Sequence, residues 1–115
     1  MNNKYYQALQ AIKTSIENIE NFIGNPKSFE LYDSNLLIQA AVERNLEIIG
    51  EATKRLLDIN PAITISNTRS IINTRNKISH GYDEIENPQI WGIIINHLPI
   101  LKLEVEYLLN DGINK

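Results

Sequence analysis

The chain is expected to fold as an all-α, antiparallel up-down four-helix bundle, and three features of the sequence point there. Apolar residues recur at steps of three and four through long stretches, the period of a helix with one buried face. Five glycines and four prolines in 115 residues are too few for a loop-rich sandwich and suit long helices. Gly24-Asn25-Pro26, Asn60-Pro61 and Asn87-Pro88 cut the chain into helical stretches joined by short links, which favours antiparallel neighbours.

The first helix carries the seam Tyr5, Leu9, Ile12, Ile16, Ile19 and Ile23 and stops at Gly24. Residues 27–33 read as an irregular link. Asp33 or Ser34 is the expected N-cap of the second helix, which runs to about Asp58. Its stripe is Ile38, Val42, Leu46 (or Asn45), Ile49, Ala52 and Leu56, widened by Leu37, Ala41 and Ile48. Pro61 ends it, since proline disfavours helix at the residue before it. The third helix is expected from about Ser66, with Ser or Asn as cap, to the C-terminal glycine Gly81. Asn87 caps the fourth, with Pro88 at its first helical position. Ile90, Ile94, Leu98, Leu101, Val105 and Leu108 form its stripe, with Trp91 alongside, and Pro99 is expected to kink it.

Length and composition bound the function. One domain, residues 1–115, is the expectation. The absence of cysteine excludes disulfides, thiolate metal sites and a cysteine nucleophile. No signal-like start is visible, and the longest apolar runs fall far short of the roughly 20 residues that cross a bilayer. A cytoplasmic protein with no membrane partner follows as the expectation. The net charge of −3 argues against a passive nucleic-acid coat. That average hides an asymmetry: residues 59–82 contain no Asp or Glu, although the chain has 14 acids. The stretch carries Arg69, Arg75 and Lys77, so a phosphate-bearing ligand would be drawn to it.

Chemistry is expected on the third helix. At about 100° per residue, Ile71, Arg75, Ile78 and Tyr82 share one stripe, while Arg69, Asn73, Asn76 and His80 share a polar one. Arg75 and His80 stand about 140° apart and do not converge within a regular helix. An arginine in an isoleucine seam suggests a partly buried contact, where charge needs a partner or a bound anion. The seam therefore reads as a dimer interface that brings two copies together. Against this stand an ion pair for Arg75 and a helix-dipole contact for His80. Glu43, Glu47 and Glu51 line one face of the second helix and read as a solvated row with Glu51–Arg55 support. His80 and His97 are the only histidines, and there is no HExxH pattern and no glycine-rich phosphate loop; neither a metal nor a cofactor is expected.

Arg75-Asn76-Lys77-Ile78-Ser79-His80-Gly81-Tyr82 fits Arg-x4-His-x-Tyr, and the chain here resembles the HepT-like HEPN ribonuclease family. Arg44-Asn45-Leu46-Glu47-Ile48-Ile49-Gly50-Glu51-Ala52 resembles the family's second-helix stretch, and Trp91 with Leu98-Pro99 its last helix. The likeness runs in consistent order over about residues 5–109. It implies a HEPN-like helical bundle that forms a homodimer. It also implies a metal-independent RNA endonuclease, the toxin beside a minimal nucleotidyltransferase (MntA-like) antitoxin. Arg75 and His80 would be catalytic, Tyr82 the adenylylated residue, and Arg69, Asn76 and Lys77 contacts to RNA phosphates. The chain departs from the family at Thr64-Ile65-Ser66-Asn67, where Pro-Trp is frequent, and at Asn73-Thr74, where a Gly-Met-like pair is frequent. The rival reading is a HEPN module that binds a nucleotide for the nucleotidyltransferase without cutting RNA; a degenerate scaffold is a third.

Overall fold

A computed structural model describes residues 3–80 and 85–113, and every regular element among them is helical. α1 spans Asn3–Ile23, α2 Phe29–Asp33, α3 Leu36–Ile59, α4 Thr68–His80, α5 Asn87–Gly92 and α6 Leu98–Ile113. A π turn, Ile93–His97, joins α5 to α6, so the two make one composite helix. With α1, α3 and α4 it completes the expected four-helix bundle. The shortest dimension is 19 Å, about two helix diameters, so two layers of helices enclose one core.

α1 buries Leu9, Ile12, Ile16 and Ile19 completely, the seam its spacing predicts. It ends where Gly24 takes a φ of 73°, a left-handed conformation that glycine adopts without a Cβ penalty. α3 packs along α1 and buries Val42, Leu46, Ile49, Ala52 and Leu56. Asn45 joins that row; its Oδ1 accepts from Asn18 Nδ2 at 3.2 Å and its amide donates to Ala41 O at 2.8 Å. Both polar ends of this buried side chain are thus satisfied. α6 covers α1 from the other side with Leu101 and Val105, and α4 packs against α3.

Several local expectations change. Residues 29–33 are helical rather than irregular: Ser28 Oγ accepts from Leu31 N at 3.3 Å and starts α2. Ser34 closes α2, so the cap of α3 is Asn35, whose Oδ1 accepts from Ile38 N at 3.0 Å. Leu37 does not widen the apolar face. It is 80% exposed beside Leu36, because the chain enters α3 ahead of its contact with α1. The last helix is capped by Glu86 rather than Asn87, with Glu86 N donating to Gln89 Oε1 at 3.2 Å. Asn87 instead donates to Asp33 Oδ1 at 2.8 Å, which ties this helix start to α2. Tyr32 and Phe29 of α2 flank Trp91 with ring centroids 5.6 and 5.8 Å away. The disturbance expected at Pro99 takes the form of the π turn, closed by Leu98 N–H to Ile93 O. Gly81, the expected end of α4, lies outside the described residues.

α3 and α4 meet at Gly50. A Cβ placed there would collide with Arg75 Cβ and lie 2.8 Å from Arg75 Cγ. The atoms in the way belong to the root of a side chain and cannot swing aside. Alanine's better helix propensity, worth about 1 kcal/mol, is therefore outweighed by overpacking of about 1–3 kcal/mol. Gly50→Ala is expected to lower the thermal midpoint by several degrees, measured by circular dichroism. An unchanged or higher midpoint would show that α4 can shift without loss.

Candidate active site at the end of α4

α4 has three distinct sides. Its inner side carries Ile71 and Thr74, both buried, and Ile78, packed against the same core. Thr74 Oγ1 returns its hydrogen bond to Ser70 O at 2.9 Å, which makes the hydroxyl compatible with burial. The isoleucine seam is thus closed within the chain. Ile71 and Ile78 serve the packing of the single chain, while Arg75 on the same stripe keeps about one-third of its side chain exposed.

Arg75 stands on the flank of α4 that faces α3. Its Nη1 donates to Asn76 Oδ1 at 3.0 Å, and its Nη2 lies 3.9 Å from Glu51 Oε1. The pair is long and both side chains are about one-third exposed (31% and 38%), so it contributes less than about 1 kcal/mol. Nε is buried and has no hydrogen-bond partner among the described residues. Packing on Gly50 holds the root of the side chain in place, and the guanidinium keeps donors that are not all committed.

On the same flank Ser79 Oγ donates to Glu47 Oε2 at 2.8 Å. Glu47 and Glu51 therefore turn toward α4, and the solvated row with Glu51–Arg55 support gives way to a carboxylate row facing the Arg75 motif. Spacing alone placed these acids on one face; the helix that covers that face was not visible in it. Among the described residues no group of three His, Cys, Asp or Glu side chains is placed to hold a metal ion.

His80 is exposed at the C-terminal end of α4. By helix phase it lies about 140° from Arg75, on the side of Arg69, Asn73 and Lys77, which are all exposed. Asn76 is half-buried and engaged by Arg75, so it orients the guanidinium. One chain does not bring Arg75 and His80 to a common point on this helix. Tyr82 lies outside the described residues. His97, set aside in the sequence, is half-buried in the π turn and lines a groove beside α4.

Glu43 continues the carboxylate row. Burial, and then the charge of Glu47, raise its pKa above the ordinary carboxylate value. A carboxyl with a raised folded-state pKa binds its proton more tightly in the native state. Native stability is then fullest below the ordinary carboxylate range and falls as pH rises through that range to the folded value. Glu43→Gln is expected to raise the thermal midpoint at pH 7 and to leave it unchanged near pH ~3, where the carboxyl is neutral in both states. An equal effect at both pH values would show that ionisation of Glu43 is not the cause.

Comparison with known proteins places this geometry in a family. The family described as "Ribonuclease HepT-like" matches residues 12–108. The chain is 33% identical over 100 residues to "Putative RNase MJ0127" of Methanocaldococcus jannaschii, covering 84% of this chain and 82% of that protein. It is 31% identical over 112 residues to "Probable ribonuclease HepT" of Thermococcus cleftensis, covering 94% and 98%. No solved structure gives a significant match. No helix among the described residues is long and apolar enough to cross a membrane. With a family match over residues 12–108 and RNase-named relatives aligned over at least four-fifths of both chains, this chain belongs to the HepT-like ribonuclease family of HEPN type.

Proposed function

We propose that the protein is a metal-independent RNA endonuclease that works as a homodimer, with Arg75 and His80 as its catalytic residues. The observation that carries this reading is the placement of an arginine with uncommitted donors and an exposed histidine on different sides of one helix end. Two copies meeting at this edge would set Arg75 of one against His80 of the other. His80 takes the proton from a ribose 2′-OH. The O2′–P bond forms, the P–O5′ bond breaks, and O5′ takes a proton from His80 of the second copy. The products are a 2′,3′-cyclic phosphate and a 5′-hydroxyl. Arg75 stabilises the charge that builds on the phosphoryl oxygens, oriented by Asn76, while Arg69 and Lys77 hold flanking phosphates.

In the same reading the chain is the toxin of a HepT/MntA-type pair. The antitoxin, a minimal nucleotidyltransferase, transfers AMP from ATP to the Tyr82 hydroxyl. The phenolic oxygen attacks the α-phosphorus, pyrophosphate leaves, and the tyrosine loses its proton. The added phosphate is a charge-assisted acceptor for Arg75 and competes with RNA there. Residues 59–82, free of acids, support such anion binding.

Purified protein is expected to cut RNA in the presence of EDTA and to scatter light as a particle of about twice 13.2 kDa. His80→Ala and Arg75→Ala should each lower the rate by about 10²-fold or more. Loss of cleavage in EDTA, or full activity in both variants, would sink the assignment and favour a nucleotide-binding module. Incubation with the nucleotidyltransferase and ATP should add whole AMP units to the intact mass and stop cleavage. Tyr82→Phe, which removes only the acceptor oxygen, should stay unlabelled; continued labelling of that variant would refute Tyr82 as the site.

A further inference from the structure

α4 packs on α3 along one flank, but on the opposite flank it stands away from the composite α5–α6 helix. A groove of about 770 Å³ remains there, between α4 and the π turn, within the range of ligand pockets. Arg69, Asn73 and Lys77 line it from α4, and Gln89, Asn96 and His97 from the other wall. Its floor passes into an apolar cleft between Ile71, Ile93 and Leu98, with His97 at the junction. No Asp or Glu lines the groove among the described residues, in a chain with 14 acids and a net charge of −3. The acids that do approach α4, Glu47 and Glu51, stand on its α3 flank. α4 therefore separates a carboxylate flank from a flank of cations and amides.

We propose that this groove is the seat of a single-stranded RNA segment, with His97 and Asn96 of the π turn as contacts the motif does not announce. The proposal rests on the ribonuclease reading and extends it to the path of the substrate. Arg69 and Lys77 are eight residues apart, about 12 Å along the helix, enough for about two consecutive phosphates of one strand. The amides of Asn73, Asn96 and Gln89 offer donors and acceptors to sugars and base edges. No aromatic residue lines the groove among the described residues, and its amides and cations suit recognition through backbone and base edges. By helix phase His80 lies on this side of α4, so a strand seated between Arg69 and Lys77 continues toward it. On the α3 flank the same strand would meet the carboxylate row. Pro99 accounts for the π turn structurally, but neither the lack of acids among the described lining residues nor the convergent amides follow from a proline.

The test measures binding of a short fluorescent single-stranded RNA in which every ribose is 2′-O-methylated, so that the nucleophile of the proposed cleavage is blocked. Asn73 and Asn96 are exposed, so Asn73→Glu and Asn96→Glu can place a negative charge in the groove without opening the core. Each is expected to weaken binding about tenfold by fluorescence anisotropy, with an unchanged thermal midpoint. Gln10→Glu makes the same charge change on α1 and should alter affinity less than twofold. Arg69→Ala should reduce the slope of log affinity against log salt by about 0.7, one phosphate contact to a single strand. Equal affinity in Asn73→Glu, Asn96→Glu and Gln10→Glu would overturn the proposal, as would no binding by the wild type. Groove-dependent binding without any cleavage of unmodified RNA would refute the nuclease reading and leave the groove standing. Cleavage that survives intact in both groove variants would do the reverse.

Discussion

The contact on which the candidate site depends is the one between Gly50 and Arg75. With no side chain at Gly50, the root of Arg75 rests directly on the backbone of α3. That closeness lets Ile71 reach the core and Ile78 pack against it. It also fixes the first atoms of the arginine through packing, leaving its guanidinium to Asn76 and, loosely, Glu51. An arginine anchored at its base loses less freedom when it meets an anion than one that waves in solvent. The same glycine thus serves stability and chemistry, and no change at position 50 touches one alone.

From that contact follows the division of charge around α4. Packing against α3 brings one flank alongside Glu47 and Glu51, where Ser79 and Arg75 find partners. The other flank faces a π turn and α5, whose side chains here are amides, a histidine and small or apolar residues. A helix with no acid of its own is thereby polarised by its neighbours. The net charge of the chain, −3, describes neither side.

The long elements were legible because their spacing repeats over many turns. The seams of α1, α3 and α6 lie where periodicity puts them, since each stripe of Ile, Leu and Val has only one way to leave water. Short features were not. α2 has five residues, too few for a period to show, and its start rests on one hydroxyl, Ser28. The isoleucine seam of α4 was legible as a buried stripe, but the surface of the same chain on which Ile71 and Ile78 pack was not: pattern reports burial, not which partner supplies it. His97 carried no signal as a lone histidine. Its setting arises from the gap between two helices, and no pattern within either helix encodes that gap.

The π turn makes the composite helix uneven in its tolerance of changes in length. It takes up one residue more than an α-helical turn does. Removing one residue within Ile93–His97 can therefore return that turn to α geometry and leave Leu101 and Val105 facing α1. Within α5 or α6 there is no such slack, and removing one residue rotates everything beyond by about 100°. Among sequences of this fold, single-residue differences in the length of this helix should gather between Trp91 and Pro99 rather than beyond Pro99.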